Sequence, residues 1–214
     1  MNADNSAVQA VVMDVHLPAG VAGPEPLDFD VRCFLVPHPN GVVLIDTGMP
    51  GSAEHIGKAL AGMDDAWGDV SDIVLTHSHM DHTGGLAEVL KKTQNPVVWA
   101  GIEDHAHMPQ TMGLKALADG DDVRGLLALA TPGHTPGHRS LFHPALSVLF
   151  PGDVAGSDGS GVRRSPAAFT HDAQQAQESL GRVVAIHAGR VLFSHGGEVA
   201  NPLDALKALL ASPQ

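Results

Sequence analysis

The stretch THSHMDH at residues 76–82 places four potential metal ligands within six residues, directly after a short apolar segment. Residues two apart in extended backbone point to the same side. His77 and His79 can therefore converge on one metal ion. Asp81 and His82, where the chain turns toward a predicted helix, can serve a second ion beside the first.

Histidines spaced this closely are improbable as an accident of composition. The chain has 14 histidines in 214 residues. At that frequency the pattern H-x-H-x-D-H would arise by chance in roughly 0.005 of sequences of this length. A solvated polar loop rarely crowds three imidazoles together without a ligand that they share, so the stretch predicts a metal site.

Three further candidate ligands follow predicted strands elsewhere in the chain. His134 lies in the repeated stretch TPGHTPGH at 131–138, Asp153 follows a Pro-Gly pair, and His195 follows an apolar segment and a serine. Each of these residues alone is more typical of a turn or a helix cap. Together they supply the ligands that residues 76–82 lack for two ions.

Composition narrows the class of protein. The chain is 43% hydrophobic and 17% charged, as expected of a globular protein, and we predict one domain over residues 1–214. The net charge of −12 argues against nucleic acid as a partner. No membrane span and no signal peptide is visible, so we expect a cytoplasmic protein that acts on a small molecule and binds no membrane. The oligomeric state stays open.

The hydrophobic pattern alternates strands with helices, which is typical of the α/β class. We predict helices over 52–63, 85–92, 172–186 and 202–210. We predict strands over 31–37, 42–45, 72–76, 96–100, 126–130, 139–143, 147–150 and 190–193. The candidate ligands lie in loops at strand ends, where functional groups of α/β proteins collect.

The order of these motifs resembles the metallo-β-lactamase-fold superfamily of metal-dependent hydrolases. HSHMDH is followed by Pro-Gly-His, then Gly-Asp, then a late Ser-His, and the resemblance runs from about Phe34 to Glu198. It implies a four-layer αββα sandwich with the metal ions at one rim of two packed sheets. It also implies two sets of ligands joined by one bridging residue: His77, His79 and His134; Asp81, His82 and His195; and Asp153 as the bridge.

The donor chemistry agrees with this resemblance. Imidazole and carboxylate ligands without thiolate suit zinc, and we expect two Zn²⁺ per chain, with iron or manganese as alternatives. Three protein ligands on a zinc ion leave a position open for water, and two ions that share a hydroxide supply the nucleophile. Asp81 and Asp153 are therefore predicted to be both catalytic residues and ligands. The single cysteine, Cys33, lies in a predicted buried strand and is interpreted as packing.

Several neighbouring residues have two interpretations. Asp46, at the end of a strand, corresponds to a position that orients a ligand histidine in the family, but it also suits a turn beside Gly48. His138 could compete with His134 as a ligand, and we interpret it as structural. Arg163 and Arg164 are either solvated or anchor an anionic substrate. The Gly/Ser-rich stretch 154–165 is predicted to cover the site.

The predicted reaction is hydrolysis of an ester, thioester or lactone bond of a small molecule. The bridging Asp153 resembles that of glyoxalase II, acyl-homoserine lactonases and related esterases, although the chain has no tyrosine and only a short segment follows His195. Two alternatives within the same fold stay open: a mononuclear-iron persulfide dioxygenase and a β-lactam-hydrolysing member. Fold membership by itself does not choose among them.

Overall fold

The first of two sheets carries the loop that follows residues 72–76. The computed structural model describes residues 8–21, 23–108, 113–158 and 160–213. Six strands form this sheet in chain order: β1 (Gln9–Leu17), β2 (Leu27–His38), β3 (Gly41–Ile45), β4 (Val70–Val74), β5 (Val97–Ala100) and β6 (Lys115–Ala116). β1, β2 and β3 pair antiparallel, and β3, β4, β5 and β6 pair parallel.

The second sheet is built from the later part of the chain. Its five strands are β7 (Asp122–Val123), β8 (Leu126–Ala130), β9 (Arg139–His143), β10 (Val148–Phe150) and β13 (Arg190–Val191). Between β10 and β13, β11 (Gly156–Ser157) and β12 (Val162–Arg163) form a separate two-stranded hairpin. The five-stranded sheet has the order β13-β10-β9-β8-β7, in which only β13 and β10 pair parallel. This parallel pair brings the segments that follow β10 and β13 to one edge.

Helices cover the outer faces of the two sheets. They are α1 (Ala53–Gly62), α2 (Met80–Thr83), α3 (Leu86–Lys92), α4 (Ala173–Val184) and α5 (Pro202–Ala211). α1 and α3 pack on the first sheet, and α4 and α5 pack on the second. The four-layer αββα prediction is therefore confirmed. None of the described helices is long and apolar enough to cross a membrane.

The buried side chains form three hydrophobic cores, and strand β2 contributes side chains to two of them. Cys33 and Leu35 face the core under α1 and α3, whereas Phe34 and Val36 face the core between the sheets. Successive side chains on a strand point to opposite faces, so a continuous apolar run is what a strand buried on both faces needs. Cys33 is fully buried, which agrees with its interpretation as packing.

The strand exits explain where the site forms. The chain leaves the parallel strands β3, β4 and β5 at the same edge of the first sheet, because parallel strands end on one side. A backbone hydrogen bond from Arg139 N to Thr76 O, at 2.8 Å, joins this edge to the start of β9 in the second sheet. The loops after β8, β10 and β13 meet the first sheet there.

The prediction that the first strand begins at residue 31 was wrong. β1 pairs with β2 over nine residues, from Gln9 opposite Leu35 to Leu17 opposite Leu27. Its signal was the alternation of Val11, Met13 and Val15, of which Val11 and Met13 are buried. The other main elements agree with the predictions apart from shifts at their ends: β4 ends at Val74 and β13 at Val191.

Candidate metal centre

Three histidines from two loops form the first group of potential ligands. His77 and His79 follow β4, and His134 follows β8. The Nδ1 atom of His79 lies 3.1 Å from Nε2 of His77 and 2.9 Å from Nε2 of His134. The three nitrogens all lie within 4.8 Å of one another, close enough to bind one metal ion together.

Asp81, His82 and His195 form the second group. Asp81 and His82 lie in α2, and His195 lies beyond β13. Oδ2 of Asp81 is 3.6 Å from Nε2 of His82 and 3.4 Å from Nε2 of His195. This arrangement joins residues more than a hundred positions apart in the chain.

Asp153 lies between the two groups. The residue sits in a 3-10 turn, Gly152–Val154, directly after β10. Its Oδ2 is 3.3 Å from Nε2 of His134 and 3.3 Å from Nε2 of His195, and its Oδ1 is 3.3 Å from Nε2 of His82. One carboxylate therefore faces both groups, which is the position that a bridging ligand needs.

Hydrogen bonds on the far side of the rings determine which nitrogens face the centre. Nδ1 of His82 is 2.8 Å from the buried Asp46 carboxylate, so Asp46 contacts a predicted ligand histidine and is not only a turn residue. Nδ1 of His195 is 2.7 Å from the carbonyl of Asp30, and Nδ1 of His77 is 3.0 Å from Oγ1 of Thr76. A proton on each Nδ1 leaves the Nε2 lone pair free to bind a cation.

Burial lowers the pKa values of some residues in the cluster, and neighbouring charges raise those of others. Burial lowers the pKa of His134 to about 4 and the pKa of His77 well below its usual value. Burial also lowers the pKa of His82 and His195, but the nearby carboxylates, Asp153 first and then Asp81, together more than offset this, so both pKa values are raised. The pKa of Asp153 lies well below its usual value because His195 and His82 outweigh the effect of burial. Asp153 is therefore ionised at neutral pH.

Two buried polar atoms without hydrogen-bond partners indicate that a metal ion fits this cluster. Nε2 of His82 and Oδ1 of Asp153 lie 3.3 Å apart without hydrogen-bond geometry between them, and, like Nδ1 of His134, they have no hydrogen-bond partner among the residues that the structure describes. Unpaired buried polar atoms are unfavourable, and a shared cation would satisfy both. The donor set of five imidazoles and two carboxylates is one that zinc, iron and manganese bind. The residues present fit a pair of metal ions.

A sandwich of two sheets between helices, with a rim of histidines and aspartates, defines an enzyme of the metallohydrolase type. The family model of the Metallo-beta-lactamase superfamily matches residues 27–195. The chain belongs to this superfamily.

Curated relatives agree with this assignment. A probable metallo-hydrolase of Bacillus subtilis is 30% identical over 201 residues, covering 74% of this chain and 76% of that protein. A hydroxyacylglutathione hydrolase of Saccharophagus degradans is 35% identical over 130 residues, covering 57% of this chain. The chain spans only 46% of that enzyme and under two thirds of the other hydroxyacylglutathione hydrolases that it matches.

The fold is also that of a solved structure. A metallo-beta-lactamase family protein of Thermus thermophilus superposes with a TM-score of 0.74 at 21% identity, covering 96% of this chain and 79% of that chain. At this identity the likeness concerns the fold.

His138 lies beside the site and holds Asp153. Its Nε2 accepts a hydrogen bond of 2.9 Å from the backbone N–H of Asp153, and its Nδ1 is 2.9 Å from Oγ1 of Thr131. A Cβ at Gly152 would lie 2.5 Å from Nε2 of His138, so glycine is what permits this approach. The structural interpretation of His138 agrees with these contacts.

Replacing His138 by Ala is expected to leave metal bound with weaker affinity, whereas His134→Ala, which removes one of the predicted ligands, is expected to lose metal. The first change removes a hydrogen bond to a bridging residue and leaves a cavity, which should lower the free energy of unfolding by about 2–4 kcal/mol. The second removes a ligand. Elemental analysis after dialysis compares them, and equal loss of metal would show that His138 is the ligand.

Arg163 and Arg164 make different contacts. The Arg164 guanidinium donates to the carbonyls of Leu209 and Ser212 and to Oε1 of Gln177, so it fastens the end of α5 to α4 and is not a substrate anchor. Arg163 is half-exposed and lies 3.5 Å from Asp158 within the hairpin. That hairpin packs beside the site, since Ser157 N donates to His195 O and Ser165 Oγ donates to Asp153 O.

Sequence reasoning missed several groups that support the site. Thr76 was noted only as the end of a strand, yet its Oγ1 donates to Asp46 and contacts His77. Asp30 holds the His195 loop twice, because its carbonyl lies 2.7 Å from Nδ1 of His195 and its Oδ1 accepts a hydrogen bond of 2.9 Å from Gly196 N. Asp104 carries a signal in the sequence, because it is an acidic residue four positions after β5, at the sheet edge where the predicted ligands follow β4.

Proposed function

We propose that this chain binds two metal ions, zinc in preference to iron or manganese, and hydrolyses an ester, thioester or lactone bond of a small molecule. The ligands are the seven residues His77, His79, Asp81, His82, His134, Asp153 and His195. The observation that carries the proposal is the position of Asp153, whose Oδ2 is 3.3 Å from a histidine of each group.

The chain's own residues prepare the site for this chemistry. When bound, the two ions would activate a water molecule and polarise a carbonyl oxygen. Asp153 stays ionised between the two groups, and Asp46 holds the His82 ring by its Nδ1. Three protein ligands in the first group leave room for substrate. A separate nucleophilic side chain is not required.

The surroundings favour an uncharged acyl substrate. Met80, between His79 and Asp81, is 66% exposed, and the Phe29 ring centroid is 5.6 Å from that of His195. Among the described residues, no lysine or arginine forms an ion pair with any of the seven proposed ligands. The apolar side chains of Met80 and Phe29 beside the proposed ligands and a net charge of −12 both favour a neutral substrate over an anionic one.

The test combines metal analysis with a substrate panel. Protein purified without chelator should hold about two metal ions per chain, mostly zinc. Zinc-loaded protein should hydrolyse lactones, aryl esters or thioesters faster than phosphodiesters or β-lactams, and His79→Ala should abolish this. One iron per chain with oxygen consumption on a persulfide would support the dioxygenase instead. Preferred turnover of β-lactams would support the β-lactam-hydrolysing alternative.

The metal-free protein is expected to lose stability as pH falls from about 6.5 to about 4. Burial lowers the pKa of four site histidines: His77, His79, His134 and His138. They stay neutral in the folded chain while the unfolded chain protonates them, so the free energy of unfolding falls with pH. His82 and His195 have raised pKa values, so below about pH 6.5 they are protonated in both states and their contribution to stability no longer changes. Over this range only the four lowered groups change, and His134 alone, with a pKa of about 4, should cause a loss of about 2 kcal/mol by pH 5.

Urea unfolding of chelator-treated protein at pH 7.5 and pH 5.0 measures this difference. His134→Gln should shrink the difference between the two pH values. Replacement of the exposed His55 by Gln is the matched control and should leave it unchanged. Equal stability at both pH values would contradict the prediction.

A further inference from the structure

Asp104 is a buried carboxylate that touches none of the seven proposed ligands directly. It lies in the 3-10 segment Ile102–His107, directly after β5, and is fully buried. Its Oδ2 accepts hydrogen bonds from Ser78 N at 3.0 Å and from Thr135 Oγ1 at 2.6 Å. Its Oδ1 accepts from Gly137 N at 2.7 Å.

These three donors belong to the two loops that carry the first group of histidines. Ser78 lies between His77 and His79, in the loop after β4 of the first sheet. Thr135 directly follows His134, in the loop after β8 of the second sheet. The carboxylate therefore ties the two sheets together beside the point where Nδ1 of His79 and Nε2 of His134 are 2.9 Å apart.

The backbone around Asp104 is closely packed, so the loops that it joins have little room to move relative to each other. A Cβ at Gly137 would lie 2.5 Å from Cγ of Asp104, and a Cβ at Gly101 would overlap the carbonyl oxygen of Gly137. The segment after β5, which carries Asp104, approaches the loop after β8 closely only because both positions are glycine. A side chain at either position would separate the loops.

Three donors aimed at one side chain require an acceptor at both oxygens. A carboxylate provides this, whereas an asparagine must turn its NH₂ toward at least one donor. Asp104→Asn thus preserves size and removes part of the connection. A buried N–H left facing another donor is unfavourable.

We propose that Asp104 is a positioning residue that holds the loops of His79 and His134 at the separation needed to bind the first metal ion. The inference rests on the proposed function, because it concerns the same metal site. Residues that orient metal ligands without contacting the ion typically change metal affinity about 10–100-fold when replaced.

Asp72 provides a matched control for Asp104→Asn. Asp72 is also buried and accepts hydrogen bonds from three donors, Ser71 Oγ, Trp99 Nε1 and Arg124 Nε. It lies in β4 and contacts none of the proposed ligands among the described residues. Asp72→Asn should therefore reproduce the loss of stability without the loss of metal.

The experiment titrates chelator-treated protein with Zn²⁺ against a chromophoric competitor. Asp104→Asn should weaken one of the two binding steps, the one that His79→Ala also weakens, about 10–100-fold, and change the other less than about threefold. Asp72→Asn should change neither step. Equal weakening of both steps by Asp104→Asn, or the same result with Asp72→Asn, would overturn the inference.

Hydrogen exchange of the metal-free protein separates this inference from the proposed function. Asp104→Asn should speed amide exchange in peptides covering 76–83 and 131–139, and Asp72→Asn should not. If the wild-type chain binds no zinc, the proposed function fails, whereas unchanged exchange in both peptides overturns the role of Asp104.

Discussion

Replacing Asp153 by Ala is expected to lower kcat/KM at least about 10³-fold and to reduce bound metal from two ions to one or fewer per chain. The change removes the one carboxylate that faces both groups, at 3.3 Å from His134, His82 and His195. Two cations would then lie close together without a shared anion, which is strongly unfavourable in a buried site. A loss of 10³-fold corresponds to about 4 kcal/mol of transition-state stabilisation.

Elemental analysis and steady-state kinetics on the best substrate of the panel measure this effect. Asp158→Ala is the control, because Asp158 is an exposed aspartate on the neighbouring hairpin. Activity within tenfold of wild type after Asp153→Ala, with two ions still bound, would refute the bridging role.

Replacing Asp46 by Ala should cause the second large effect, a loss of about 3–5 kcal/mol in the free energy of unfolding. The Asp46 carboxylate is fully buried and accepts hydrogen bonds from Thr76 N at 2.7 Å and from Thr76 Oγ1 at 2.8 Å, besides its contact with His82. Alanine leaves these donors unpaired. It is also strained at the φ of +58° that Asp46 adopts.

Urea unfolding of the metal-free protein gives the loss, and zinc titration should show that the ion held by His82 binds more weakly. Asp46→Asn is the comparison, since asparagine tolerates a positive φ and retains one acceptor, and it should lose less than half as much stability. If the alanine variant proved as stable as wild type, the contacts of Asp46 with Thr76 and His82 would contribute nothing to the free energy of unfolding.

Much of the fold was predictable because its signals are local. The apolar runs of β2, β3 and β4 and the 3.6-residue spacing in α1 and α4 depend on residues near one another in the chain. β1 carried the same kind of signal and was overlooked. The short strands β6, β7, β11 and β12 have only two residues each, so no periodicity could reveal them. Their pairing depends on neighbours that are distant in sequence.

The positions of histidines and aspartates after the strands could be predicted from local patterns, because the stretch at 76–82 is contiguous and Asp153 and His195 each follow an apolar segment. Which of these residues meet depends on how the sheets pack. His134 and His138 occupy identical TPGH motifs, yet one faces His79 and the other holds the backbone of Asp153. Arg164 had two interpretations, solvated or substrate anchor, and neither holds because its guanidinium donates to the carbonyl of Leu209 at the end of α5. Such distinctions depend on the order and direction of strands, which bring together side chains a hundred residues apart, and no local pattern records that geometry.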